Sequence, residues 1–399
     1  MSLNTVTTEQ LSKQMHQQQV CLNGWDMVLS VADAVVSELV SHHWKNACDQ
    51  CPSSIKIGAA KLVKLNNALK LHIPIHDGSL DSPPAHVLES HVDSRVMIKN
   101  DCNGDWSFGL QIDNAVSDQK NDCDLVSNAR QWLTGNVSHL PLMEIKAEKN
   151  ILLKGVDVGS AQAHFVGESN GCDMQVLLAA KGSPTPESTA IKIDQPIPAA
   201  SGANFSLMVS SGFFIKDVIV AGFNHGPGDV KLESIAPGDA EKEAWYAQVR
   251  NPMTYTGSIT WGDLMPQVNN NAVLGLTFKG SESQGLLLDH FTAPGSNIAL
   301  QLSVADNYQA EILGSPGHQM IKIQSGVGQV SATGLVENVI KDQLNLFINK
   351  DIKTDMGDID FSPVTSLLQQ QISMANKQLV MSQAQVPADF LITGSIEDK

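Results

Sequence analysis

A short segment around residue 45 carries the residue types that metal or thiol chemistry needs. His42 and His43 precede a Cys-x-x-Cys pair formed by Cys48 and Cys51. Imidazoles and thiolates together supply the tetrahedral ligands that structural zinc prefers, and a Cys-x-x-Cys pair can also cycle between dithiol and disulfide. Adjacent histidines, however, project in different directions from a helix, and the chain has no second Cys-x-x-Cys pair. We therefore favour a polar loop with two thiols over a zinc or redox site, and we expect no metal and no cofactor.

A glycine-rich segment at 222–229 holds a second candidate, an acid–base pair formed by His225 and Asp229. Its turn residues are not followed by a helix pattern, so we interpret the segment as a loop whose histidine is solvated. The chain has neither a phosphate-binding glycine motif nor a GxSxG nucleophile elbow, and its carboxylates are scattered singly. We expect no catalytic residues, with an enzyme of unfamiliar motif as the alternative.

Composition limits the classes of partner. The chain has 399 residues, 42% of them apolar, which is enough for a core and favours two modules. A formal charge of −16 disfavours nucleic acid as a partner. No long apolar run is present and the first residues are polar, so we expect a soluble protein made in the cytoplasm without a Sec signal peptide or transmembrane segment. The cysteines are too sparse for a secreted disulfide framework, and we expect reduced thiols.

Helical spacing of apolar residues predicts three helices. The first begins at Asp26 as N-cap and ends near residue 44, with apolar residues on so many sides that other elements must cover it. The others span about 335–349 and 363–382, the last opened by Ser362 and Pro363. Their apolar faces contain our candidate ligand-binding residues, which are Val28, Val31, Val35 and Leu39 on the first helix, Trp44 at its end, and Leu368, Ile372 and Leu379 on the last.

Period-two alternation between residues 55 and 330 predicts antiparallel strands. The clearest are 69–75, 106–112 and 298–304, and the denser apolar runs 213–220 and 273–278 indicate strands buried on both faces. Residues 390–396 predict a closing strand. The proline-rich segment 182–202 is typical of a connector, so we place modules at 1–185, with a loose leader at 1–22, and at 186–399. The predicted fold class is α+β.

Gly24, Trp25 and Asp26, running into an apolar helix, precede a sheet-rich middle, a late helix and a short closing strand. This order resembles the TULIP (tubular lipid-binding) superfamily, and within it the forty-seven-kilodalton proteins of clostridial botulinum neurotoxin gene clusters and their bacterial relatives. The resemblance implies an elongated fold of long, highly curved antiparallel sheets wrapped around long amphipathic helices. It also implies a seam between helix and sheet that can open into a groove for an acyl chain.

The resemblance further implies a non-catalytic protein that binds a lipid or other apolar molecule. Such a protein would belong to, or assist, a bacterial toxin system of insecticidal or neurotoxin type, would be released within a toxin complex, and could touch membranes peripherally. In the family, residues matching Gly24, Trp25 and Asp26 begin the helix and do not contact ligand. The alternatives are an assembly factor that binds toxin-cluster proteins without lipid, and a β-rich carbohydrate-active enzyme.

Overall fold

The computed structural model describes part of the chain, in which strands predominate. Its helices are α1 (Asp33–Cys48), α2 (Asp124–Asn136) and α3 (Ser362–Ser366), and α3 continues into a π-helical turn, Leu367–Gln371. The described residues are 7, 10–11, 13–14, 22–49, 51–52, 55–65, 68–92, 97–100, 104–117, 123–146, 158–166, 173–193, 196–198, 202–210, 213, 231–234, 244–249, 253–261, 271–282, 287–288, 291–292, 298–325, 329–333, 359–360, 362–385 and 389–399.

All the strand pairs in these ranges are antiparallel, which confirms the α+β class with antiparallel sheets. The strands are β1 (Met27–Val31), β2 (Lys56–Ile57), β3 (Lys61–Leu65), β4 (Ala68–His76), β5 (His86–Val92), β6 (Met97–Asn100), β7 (Trp106–Ser117), β8 (His139–Ile145), β9 (Val158–Val166), β10 (Asp173–Ala180), β11 (Phe205–Val209), β12 (Lys231–Ser234), β13 (Ala244–Val249), β14 (Met253–Trp261), β15 (Asn271–Glu282), β16 (Leu287–Leu288), β17 (Phe291–Thr292), β18 (Ile298–Leu313), β19 (Met320–Ser325), β20 (Gln329–Thr333), β21 (Ile359–Asp360), β22 (Ile372–Ser373), β23 (Lys377–Gln385) and β24 (Phe390–Asp398).

The central sheet has six strands in the order β23-β24-β11-β1-β10-β9. β1 pairs with β10 on one side and β11 on the other, and all of its residues are buried. Met27, Leu29 and Val31 contribute to the main core, whereas Val28 lies in a second cluster. The sheet therefore has a core on both of its faces, and its strands come from both sides of the 182–202 connector.

The prediction of a single helix from residue 26 to 44 is wrong over its first part. Residues 27–31 form β1, and the helix begins only at Asp33. A run of apolar residues fits a helix or a doubly buried strand equally well, and pairing on both sides decides for the strand. Asp26 is accordingly no N-cap, because its carboxylate accepts a hydrogen bond of 2.7 Å from the Ala180 backbone N–H at the end of β10.

A residue from a neighbouring strand caps α1. Ala32 occupies the N-cap position and has no side chain to accept a hydrogen bond. The Asp173 carboxylate, on β10, accepts a 2.9 Å bond from the Asp33 backbone N–H instead. Burial, together with the nearby Asp33 carboxylate, raises the pKa of Asp173 even though this hydrogen bond acts in the opposite direction.

A second sheet, of eight strands, holds the clearest predicted alternation. Its order is β2-β4-β5-β7-β8-β22, with β3 beside β4 and β6 beside β7. The predicted strand at 69–75 is confirmed within β4, and Leu71, Ile73 and Ile75 are fully buried. The prediction at 106–112 is confirmed within β7, where Phe108 and Leu110 are fully buried. Helices α1 and α2 contribute buried residues to the core that these strands share.

The third sheet, also of eight strands, has the order β12-β13-β14-β15-β18-β19-β21, with β20 beside β18. The predicted strands at 273–278 and 298–304 are confirmed, because they lie in β15 and β18, which pair from Asn271–Gln309 to Glu282–Ile298. A separate pair joins β16 and β17. The predicted helix at 335–349 and most of the predicted strand at 213–220 lie outside the described residues.

The predicted helix at 363–382 is also wrong in its second half. The helical segment ends at Gln371, and β22 and β23 follow it. Ile372 pairs with Ile145 of β8, and Leu379 pairs with Ile396. The alternation that begins at Leu379 matches a strand, and Ala375, with a φ of 46°, lies in the turn that reverses the chain. The closing strand at 390–396 is confirmed as part of β24.

The N-terminal residues pack against the central sheet. Leu11 and Leu22 are buried, so the expectation of a loose leader is wrong at these residues. They form the second cluster with Trp25, whose indole N–H donates to the Ser188 carbonyl over 2.8 Å. The described residues of 182–202 form no helix or strand, yet Ile193 is buried in this cluster. The connector thus helps to cover the second face of the central sheet.

None of the helices in the described ranges combines the length and hydropathy that crossing a bilayer requires.

Candidate functional site

A cavity of about 460 Å³ lies where α1 ends. Its walls come from the last turn of α1, the loop that follows, β2 and the β4–β5 loop. Trp44, Ile55 and Ile57 contribute buried apolar surface, and Leu80, 55% exposed, lies at the mouth. Pockets that hold small molecules have about this volume and a mostly apolar lining.

Trp44 joins the helix to the opposite wall of the cavity. Its side chain is buried, and the indole N–H donates a 2.9 Å hydrogen bond to the Gly58 carbonyl. The bond fixes the indole between α1 and the segment that follows β2. Trp44 belongs to the main core and also lines the cavity. Trp44 was predicted at the mouth of a groove, and the structure places it in the wall of this cavity.

Gly58 permits the close approach that forms the opposite wall. A Cβ atom at this position would lie 2.7 Å from His76 Nε2 and 2.9 Å from Pro74 Cγ. His76 cannot easily move aside, because its Nδ1 lies 2.9 Å from the Ser82 carbonyl oxygen. That carbonyl accepts only, so Nδ1 carries a proton in this contact. The backbone at Gly58 also donates to the Pro74 carbonyl over 2.8 Å.

The two thiols of the Cys-x-x-Cys pair line this cavity, but their environment disfavours thiolates. Burial raises the pKa of the Cys48 thiol to about 12, and the neighbouring Cys51 and Asp49 act in the same direction. Burial also raises the pKa of Cys51, against an opposing effect of Lys56. Cys48 is the last residue of α1, where the helix dipole is negative. Protonated thiols are poor nucleophiles and poor metal ligands.

The histidines of the candidate zinc set do not join these thiols. The rings of His42 and His43 stand perpendicular with centroids 5.3 Å apart, and His42 Nε2 lies 3.3 Å from Asn46 Nδ2. Burial, with His42 and His139 nearby, lowers the pKa of His43. Among the residues that the structure describes, no group of three or more His, Cys, Asp and Glu is arranged to hold a metal ion. The acid–base candidates His225 and Asp229 lie outside the described residues.

Seven of the eight predicted groove residues belong to the main core. Each of them is at most 6% exposed. Val28 instead lies in the second cluster, on the other face of the central sheet. Val28 and Val31 belong to β1, and Ile372 and Leu379 to strands, so their predicted helical positions are wrong. The seven that share the main core are Val31, Val35, Leu39, Trp44, Leu368, Ile372 and Leu379. Their contact with a ligand stays a prediction.

Sequence reasoning missed most of the cavity wall. Ile57, Gly58 and His76 meet because β2 pairs with β4, with Ile57 opposite Ile75 and Lys56 opposite His76. A two-residue strand leaves no periodic signal in a sequence. Leu80, an apolar residue among Asp, Gly and Ser in a turn, is the one signal that could have drawn attention to this loop.

No family model matches the chain, and no curated protein matches it in sequence. Among solved structures, P47 of Clostridium botulinum E1 superposes with a TM-score of 0.57 at 11% identity, covering 94% of this chain and 100% of P47. P47 from Clostridium botulinum A2 gives 0.52 at 13% identity, covering 94% and 98%. A lipopolysaccharide binding protein reaches only 0.38 at 11% identity, over 94% and 99%, and supports no conclusion about function. Because P47 is matched along almost its whole length, the chain has the fold of the clostridial P47 protein.

Proposed function

We propose that this protein is a non-catalytic carrier or receptor for a lipid or another apolar small molecule, which binds in the cavity at the end of α1. The observation that supports this most is the cavity itself, with its buried apolar wall and its exposed leucine at the mouth. Each CH₂ group that moves from water into such a site gains about 0.8 kcal/mol, less the cost of ordering the ligand.

The charges at the mouth suit an amphiphile with a polar head. Lys45 and Lys56 lie there with Asp49, all exposed, so a head group would meet both signs of charge while its tail entered the cavity. The raised pKa values of both thiols support binding without covalent chemistry.

The first experiment is native mass spectrometry of gently purified protein, followed by organic extraction and lipid analysis. A stoichiometric lipid, or uptake of added fatty acid or phospholipid, is the expected result. Protein that carries no lipid and takes up neither fatty acid nor phospholipid would overturn the proposal and favour the assembly factor.

A matched pair of variants locates the site. Leu80 is 55% exposed and lines the cavity, whereas Met320 is 56% exposed and does not. Leu80→Ser should weaken uptake by about tenfold or more, because a leucine buried by ligand contributes about 1.5–3 kcal/mol. Met320→Ser should leave uptake unchanged, and neither variant should alter the melting temperature by more than a few degrees, as expected for about 0.5 kcal/mol or less at exposed sites. Equal losses in the two variants would place the ligand elsewhere.

We further propose that the protein serves a bacterial toxin system, as a component or accessory. The fold shared with a Clostridium botulinum protein supports this role. Affinity purification from the native host, with and without a crosslinker, tests it. Recovery of proteins encoded beside this one is expected, and recovery of the chain alone under both conditions would argue against the role.

A further inference from the structure

A cysteine and a histidine from distant parts of the chain meet away from the cavity. Cys123 Sγ lies 3.4 Å from His86 Nε2. His86 begins β5 and pairs with Ile75, and Cys123 occupies the N-cap position of α2. The distance is that of a hydrogen bond to sulfur, with the thiol as donor or the imidazole as donor according to where the proton resides.

We propose that Cys123 and His86 form a thiol–imidazole pair that makes Cys123 a site of covalent modification by low-molecular-weight disulfides. His86 Nε2 takes the thiol proton, and the resulting Cys123 sulfur attacks one sulfur of the disulfide. A new S–S bond joins Cys123 to that half, the old S–S bond breaks, and the other half leaves as a thiolate.

The position of each cysteine on its helix supports the assignment. Cys123 stands at the N-terminus of a helix of 13 residues, where backbone N–H groups and the positive end of the dipole favour a negative sulfur. Cys48 stands at the C-terminus of α1 and faces the negative end, and burial holds its pKa high. Among the cysteines that the structure describes, Cys123 alone has a ring nitrogen within hydrogen-bond distance.

The surroundings of His86 indicate the type of chemistry. Its Nδ1 is shielded from solvent and has no hydrogen-bond partner among the described residues. No neighbour among the described residues fixes the tautomer, so the ring proton can reside on either nitrogen. Catalytic triads orient the base through a third group on this second nitrogen. No such third group lies beside His86 Nδ1 among the described residues, which fits a stoichiometric modification and not a turnover reaction.

The test is alkylation of the full-length protein by iodoacetamide at pH 7, with each cysteine followed by peptide mass spectrometry. Cys123 should react roughly tenfold or more faster than Cys48 and Cys51, and His86→Gln should slow Cys123 by roughly tenfold. His91→Gln, an exposed histidine on the same strand, is the matched control and should change nothing. If His86 had only a structural role, His86→Gln would instead increase the labelling rate of Cys123, because looser packing would expose the thiol.

A second measurement uses oxidised glutathione in place of iodoacetamide. Wild-type protein should form a mixed disulfide at Cys123, and Cys123→Ser should abolish it. If Cys123 reacts no faster than Cys48, or if His86→Gln leaves its rate unchanged or raised, the pair is structural and the proposal is wrong.

Discussion

Gly58 shows how one missing side chain shapes the cavity. A methyl group there would lie within 3 Å of both His76 and Pro74, which the β2–β4 pairing and the Ser82 contact hold in place. We expect Gly58→Ala to lower the free energy of unfolding by about 1–3 kcal/mol, as overpacking does in other cores. Urea titration followed by circular dichroism measures the change.

The control for this variant is Gly135, which lies in α2 with open space around it. Gly135→Ala should stabilise the protein by up to about 1 kcal/mol, because alanine is the better helix former. Stabilisation by both variants would mean that the wall of the cavity is looser than the contacts at Gly58 indicate.

Asp173 should make stability depend on pH in the direction opposite to most carboxylates. The pKa of Asp173 is raised in the folded protein, chiefly by burial. Its contribution to the free energy of unfolding is therefore fully present below the pKa of an unfolded aspartate, about 3.9. That contribution is lost as the pH rises through the raised folded pKa. Asp173→Asn keeps an oxygen that can accept the Asp33 N–H but carries no charge. Its stability relative to wild type should therefore increase as the pH rises from 4 towards 7.

Denaturant titrations at several pH values between 4 and 7 follow this difference. Asp77→Asn, at an exposed turn residue, serves as the reference. A gap between Asp173→Asn and wild type that stays constant across the range would show that Asp173 has an ordinary pKa.

At the scale of elements, the outer edge of β23 forms backbone hydrogen bonds with a side chain. The Gln319 amide donates to the Met381 carbonyl over 2.8 Å and accepts from the Met381 N–H over 2.7 Å. The pairing of β23 with β24 shifts register just after Met381, so this edge is irregular. Gln319 is buried and precedes β19, and the contact therefore ties the third sheet to the central sheet.

Gln319→Leu should cost about 1–3 kcal/mol for each backbone group left unpaired at Met381. Gln383→Leu changes the same residue type at an exposed position of β23 and should cost less than about 0.5 kcal/mol. Hydrogen exchange at the Met381 amide gives a local measure, with faster exchange expected only in the first variant. Unchanged exchange there would mean that another group takes over the contact.

Periodicity predicted β4, which has one buried face, but misassigned β1, which is buried on both faces. Leu71, Ile73 and Ile75 alternate with less buried residues, so β4 was predictable. β1 is buried throughout, and its pattern cannot distinguish a strand from a helix. The cavity was also only partly predictable. Trp44 was predicted from its place on a helix, whereas Gly58 and His76 are brought together by the pairing of β2 with β4, which periodicity does not indicate.

At the scale of the whole molecule, the fold is shared with P47 at only 11–13% identity. The two chains therefore reach the same fold with few identical residues. Finer features, such as the capping of α1 by Asp173, depend on single contacts.

The central sheet also bears on the predicted modules at 1–185 and 186–399. β1 lies between β10 from the first segment and β11 from the second, and β24 extends the sheet beyond β11. Separating the segments would remove β11 from its pairing with β1 along Met27–Val31 and expose a buried edge. We expect residues 1–185 expressed alone to aggregate or to unfold without cooperativity, whereas co-expression with 186–399 should restore a cooperative transition.

Cleavage of the folded protein tests whether the two segments stay associated, independently of whether each segment can fold alone. A protease site inserted near Gly182, in the irregular connector, should be cut without releasing either part, because pairing of β1 with β11 and burial of Ile193 hold them together. Size-exclusion chromatography of the cut protein should show both parts in one peak, and its unfolding should stay a single transition. Two peaks that each unfold cooperatively would show that the modules are independent, and that the central sheet contributes little to joining them.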